Sequence, residues 1–123
     1  MTPKELEDRL IQFAIGIIKL SEKLDLNIAG RRLADQIVRS GSSVALNYGE
    51  AQSAESPRDF VHKMGICLKE LRETFINLRI IDGASLCPDT EIIAELLQEN
   101  NELISIFVKS IETSKKKHSD FNR

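Results

Sequence analysis

Apolar residues recur at steps of three and four along almost the whole chain, in four runs separated by short polar stretches. Leu6, Leu10, Phe13, Ile17, Leu20 and Leu24 make the first face. Leu33, Ile37, Val44 and Tyr48 make the second, with the small residues Ala34, Gly41 and Ala45 beside them. Phe60, Met64, Cys67, Leu68, Leu71, Phe75 and Leu78 form a long third seam. Ile92, Ile93, Leu96, Leu103, Ile104, Phe107 and Ile111 form a broad fourth. Thr2-Pro3-Lys4-Glu5 and Ser56-Pro57-Arg58-Asp59 read as helix starts, with a hydroxyl cap, proline at the first helical position and an acid near the first turn. Asp89 caps the last run, and Gly83 stops the third. The spacing predicts helices over 3–25, 28–52, 57–83 and 89–117, with a frayed tail over 119–123. Short connections make successive helices antiparallel neighbours. The expected fold is therefore all-α, an up-down-up-down antiparallel four-helix bundle in one domain over 1–123.

Two helices carry apolar residues that this plan does not use. Ile11, Ile15 and Ile18 lie well over ~100° round the first helix from its main face, and Ile76 and Ile80 are displaced in the same way on the third. Each stripe is either a wide flank touching another helix of the bundle or a subunit interface. The second helix has a polar side too: Arg39, Ser43 and Glu50, with Leu46 among them and Asn47 on the border. It reads either as a solvated face or as a hydrogen-bonded network that fixes register at a helix contact. Gly41 inside that helix costs about 1 kcal/mol against alanine, a loss that close packing offsets.

Composition narrows the function classes. The net charge of −2 gives no global pull towards nucleic acid or acidic membranes, and the lack of tryptophan argues against a stacking platform for single strands. The first thirteen residues already hold Lys4, Glu5, Glu7, Asp8 and Arg9, so no secretory leader is expected, and no apolar run approaches the ~20 residues of a membrane span. Cys67 and Cys87 are separated by most of a helix and are expected to be unbridged, which fits a cytoplasmic protein. No catalytic, cofactor or metal site is expected. Asp59 and His62 have the spacing of one ligand pair of a di-iron bundle, but no second such pair exists. Glu70 and Glu73 read as salt-bridge partners of Lys69 and Arg72. Lys115, Lys116 and Lys117 suit the negative end of the last helix, yet with Arg31 and Arg32 they could contact nucleic acid if copies of the chain assemble.

The pattern Arg39, Ser43-Val44, Asn47, Glu50 is similar to the second-helix signature of the four-helix-bundle proteins encoded in 23S rRNA intervening sequences. Ser56-Pro57-Arg58-Asp59-Phe60 and Leu68-Lys69-Glu70-Leu71-Arg72-Glu73-Thr74 resemble the third helix of that family. Where many members continue Glu-Gly, this chain has Glu50-Ala51, which changes the expected exit from the second helix. The resemblance implies a bacterial protein without catalysis that assembles as a homopentamer. A related branch is the accessory variability protein of diversity-generating retroelements, which binds a reverse transcriptase and structured RNA and is strongly basic. Two functions follow as expectations. One is an oligomeric scaffold or adaptor with an unknown protein partner, with Arg39, Ser43, Asn47, Glu50 and Glu70 as a structural polar network. The other is a nucleic-acid-binding accessory factor acting on rRNA or a retroelement transcript.

Overall fold

Each helix begins on a side chain that takes up a free backbone N–H. Thr2 Oγ1 accepts from Glu5 at 3.1 Å and opens α1, Pro3–Ser21. Asn27 Oδ1 accepts from Gly30 at 2.7 Å and opens α2, Ile28–Gln52. Ser56 Oγ accepts from Asp59 at 3.0 Å and opens α3, Pro57–Gly83. Asp89 Oδ1 accepts from Ile92 at 3.2 Å and opens α4, Thr90–Lys117. Each such cap contributes about 1 kcal/mol. The structure is a computed structural model that describes residues 1–118; the tail expected over 119–123 lies outside the described residues.

The first helix is shorter than its periodicity predicts, ending at Ser21 rather than at residue 25. The Lys23 and Leu24 N–H groups reach back only three residues, to the Leu20 and Ser21 carbonyls, which tightens and ends the helix. Asp25 then donates its N–H to the Leu86 carbonyl of the α3–α4 loop at 2.9 Å. Leu24 still packs into the core, so its apolar spacing outlasts the helix that carried it. The turn into α2 is tight enough to require glycine at Gly30, where an added Cβ would sit 1.8 Å from the Asp25 carbonyl oxygen.

Among the described residues there are four helices and no strand, arranged up-down-up-down as an all-α bundle. α2 packs closely against both α1 and α3, and α3 against α4, whereas α1 meets α4 along a much thinner seam. α1 and α3 stand on the diagonal. Leu10, Ile17, Ile37, Met64, Leu71, Leu78, Leu103 and Phe107 fill the centre. Tyr48 and Phe107 meet edge to face with ring centroids 5.8 Å apart. Gly41 lets α2 approach Ile17, and Gly16 lets α1 approach Leu96, each with 3.0 Å left to an added Cβ. Cys67 and Cys87 are buried free thiols. No described helix is long and apolar enough to cross a membrane.

Candidate functional site

The α2–α3 pair carries a layer of polar side chains. Arg39 of α2 donates through Nη1 to Glu70 Oε2 at 3.2 Å and through Nη2 to Glu73 Oε2. Glu70 is nearly buried while Arg39 is open to water, so the pair is screened and worth about 1 kcal/mol or less. Beneath it the hydroxyls of Ser40 and Thr74 are hydrogen-bonded at 2.8 Å, and Thr74 also lies 2.8 Å from the Glu70 carbonyl. Ser40 and Thr74 are fully buried.

This layer differs from the expected network of Arg39, Ser43, Asn47, Glu50 and Glu70. Only Arg39 and Glu70 of that set meet across the helices. Ser43 turns back to the Arg39 carbonyl at 2.7 Å, and Asn47 to the Ser43 carbonyl at 2.8 Å, the local bonds that short polar side chains make within a helix. Glu50 is exposed and its side chain bonds to none of them. Glu73 pairs with Arg39 rather than with Lys69 or Arg72. The members that the sequence reading missed, Ser40 and Thr74, occupy seam positions between Ile37 and Val44 and between Leu71 and Leu78. A small hydroxyl at a seam position of each of two neighbouring helices was the available signal.

The two displaced isoleucine stripes stay at the surface. Ile11, Ile15 and Ile18 are 41%, 39% and 42% exposed, and Ile76 and Ile80 are 49% and 46% exposed. Each is about half covered within the chain and none belongs to the packed core. The stripes lie on the two diagonal helices, so they cannot cover one another within one chain. Beside the α3 stripe, Gln36, Arg39, Glu73 and Asn77 line a cleft of about 270 Å³. Asn77 is buried there, and its side chain makes no hydrogen bond among the described residues.

The basic residues do not converge. Arg31 and Arg32 lie at the start of α2, beside the end of α1. Lys115, Lys116 and Lys117 close α4 at the opposite end of the bundle, roughly 37 Å away by the length of α2 at ~1.5 Å per residue. Of the three lysines, Lys117 adjoins an open groove of about 840 Å³ between the α2–α3 turn and the end of α4, which Ala51, Pro57, Phe60, Ile106 and Lys109 also line.

Asp59 accepts the Glu55 N–H at 3.1 Å and pairs with Lys63 at 3.3 Å; those contacts, the N–H first, hold its carboxyl below the usual range. His62 is exposed. Among the described residues no three or more His, Cys, Asp or Glu side chains are grouped to hold a metal. Burial pushes the Cys67 thiol up to about 12, so it stays protonated and a poor nucleophile at neutral pH. The buried polar residue with least support is Asn100 of α4, fully enclosed with neither Oδ1 nor Nδ2 hydrogen-bonded.

The profile of the 23S rRNA-intervening sequence proteins matches residues 5–109. Among solved structures, the chain is similar to a protein of unknown function from the S23 ribosomal protein family of Bacteroides thetaiotaomicron. The two share 27% identity with a TM-score of 0.81, over 91% of this chain and 99% of that one. No curated protein matches the chain.

Proposed function

As this chain belongs to the 23S rRNA-intervening sequence protein family, we propose that it acts without catalysis, as a homo-oligomeric scaffold or adaptor assembled through its two isoleucine stripes. The observation that carries this reading is the exposure of Ile11, Ile15, Ile18, Ile76 and Ile80 on two helices that do not face each other. Fully burying such a side chain is worth about 1.5–3 kcal/mol, and these are already half covered, so each contributes about 1 kcal/mol towards the cost of association. Two unlike patches on one chain suit a head-to-tail contact, which closes into a ring when the rotation permits. The resemblance puts that ring at five copies. The unknown protein partner then meets the assembled ring rather than a single bundle.

The nucleic-acid alternative draws less support, because Arg31 and Arg32 lie far from Lys115, Lys116 and Lys117. A ring would present two separate basic rims rather than one channel.

Light scattering on the purified, nuclease-treated protein tests the proposal. The expected result is a mass several times that of one chain, reduced to one chain by Ile15→Glu combined with Ile76→Glu. A monomer at micromolar concentration contradicts it. A multimer untouched by both substitutions places the interface elsewhere.

A further inference from the structure

The α3–α4 pair carries an open groove of about 430 Å³. Val61, Ile66 and Leu68 of α3 and Ile111 of α4 make its apolar lining, each of them only half-buried by the chain. Its charged and polar side chains are of one kind: His62, Lys69 and Lys115 line it, and no carboxylate does. Lys69 and Lys115 are exposed, and neither has an ion-pair partner among the described residues. Gly65 belongs to the same lining and lies inside α3. A glycine there weakens the helix against alanine. At Gly16 and Gly41 the close approach of a neighbouring side chain offsets that loss, but a Cβ added at Gly65 would meet nothing within 4 Å. The bundle gains no packing from the bare position, whereas a chain laid in the groove from outside would.

The lining selects the occupant. An added strand needs an open sheet edge, and there is no strand among the described residues. A proline-rich segment or a single-stranded nucleic acid needs aromatic rings to lie on, and none lines this groove. Two packed helices with a glycine among apolar side chains accept a third helix, whose axis can come close where the Cβ is missing. The unpaired lysines set the charge of that helix. We propose that the α3–α4 groove receives an amphipathic helix of a partner protein, with its apolar side on Ile66, Leu68 and Ile111 and its acidic residues beside Lys69 and Lys115. This gives the adaptor reading above the chemistry of its partner; it rests on that reading for the partner being a protein, and not on the ring.

The test is fluorescence anisotropy on the full chain with a labelled synthetic helix, leucine at the i, i+3, i+4 and i+7 spacing and glutamate elsewhere. The parent should bind it saturably, and should not bind the same peptide with lysine for glutamate. Gly65→Leu fills the groove without a clash inside the chain, so it should weaken binding about tenfold or more while melting no lower than the parent. Lys69→Glu and Lys115→Glu should each weaken binding about fivefold, and less in high salt. Gly49→Leu is the control, because Gly49 also has open space above it but lines no part of this groove, and it should bind as the parent does. A parent that ignores the acidic peptide at roughly 100 μM, equal binding of the lysine peptide, or unchanged binding by Gly65→Leu overturns the inference. If Gly65→Leu instead lowers the mass of the parent assembly, a second copy covers the groove and the inference also fails. A monomeric parent that binds the peptide overturns the ring and leaves the groove standing; an assembled parent that ignores the peptide does the reverse.

Discussion

α2 and α4 both lie against α1, and they do so differently. The α1–α2 contact is long and tight, with Gly41 drawn up to the rigid, branched side chain of Ile17. The α1–α4 contact is thin. It closes where Gly16 meets the tip of Leu96, and it is spanned at its middle by Arg9, which forks onto Glu99 at 2.7 and 2.6 Å and reaches Glu102 at 3.2 Å. The contrast extends to the polar groups each helix buries. Ser40 of α2 has Thr74 as its partner, while Asn100 of α4 has none. The α1–α2 seam is closely packed, while the α1–α4 seam is thin and α4 carries a buried amide without a partner.

The strongest way to break this comparison is to add one methyl group on each side. Gly41→Ala gains about 1 kcal/mol of helix propensity but drives a Cβ to 3.0 Å from both Cγ1 and Cγ2 of Ile17, which is fully buried and stiff at χ1. The expected net loss is about 1–3 kcal/mol in denaturant melts. Gly16→Ala meets only the terminal Cδ2 of Leu96, which can turn aside, so it should be neutral or stabilising by up to about 1 kcal/mol. Equal effects would show that the two seams are packed alike.

A smaller effect comes from the buried polar groups. Thr74→Val leaves Ser40 with only the Ile37 carbonyl at 3.4 Å and should cost about 1–2 kcal/mol. Asn100→Leu keeps the branching of the side chain and removes two unpaired polar atoms, so the melt should move the other way, by about 1 kcal/mol. Asn100→Leu that destabilises would mean that the amide is served after all.

The smallest effect at neutral pH is that of Cys67, whose Sγ faces the Val44 carbonyl of α2 at 3.7 Å. Its folded-state value of about 12 exceeds the ~8.5 of a free thiol. Below about pH 8.5 the thiol is protonated in both states and its contribution is whole. Above that the unfolded chain releases the proton while the folded chain keeps it, so stability falls as pH rises towards 12, by at most about 1.4 kcal/mol per pH unit. Cys67→Ala should remove that alkaline slope while costing some packing at every pH. A slope that survives the substitution would assign it to other groups.

Helix starts were legible because a cap is a local event: Thr2, Ser56 and Asp89 announce themselves within four residues. The end of α1 was not, because Leu24 serves the core equally well from a turn held by the Leu86 carbonyl, sixty residues on. The period displaced the five isoleucines from the main faces but left open whether another helix would cover them; they prove to be about half exposed. The partners of Arg39 could not be read from spacing. Lys69 and Arg72 are closer in sequence to Glu70 and Glu73, but the antiparallel hairpin brings Arg39 over the same two carboxylates. Asn77 and Asn100 look like ordinary surface amides in one dimension, and only the enclosure around them sets them apart.

The bond from Asp25 N–H to the Leu86 carbonyl anchors the chain just after α1. With the Lys23–Asp89 pair beside it, the bond fastens the last turn of α1 to the α3–α4 loop. At the other end Thr2, Pro3 and Leu6 border a second small opening with Tyr48, Phe60 and Ile106. α1 is thus held by a backbone bond to the α3–α4 loop at its end and by side chains nearer its start, Arg9 with Glu99 among them. Its backbone protons should therefore exchange with solvent faster near Glu5 than near Leu20, a gradient that hydrogen exchange measures.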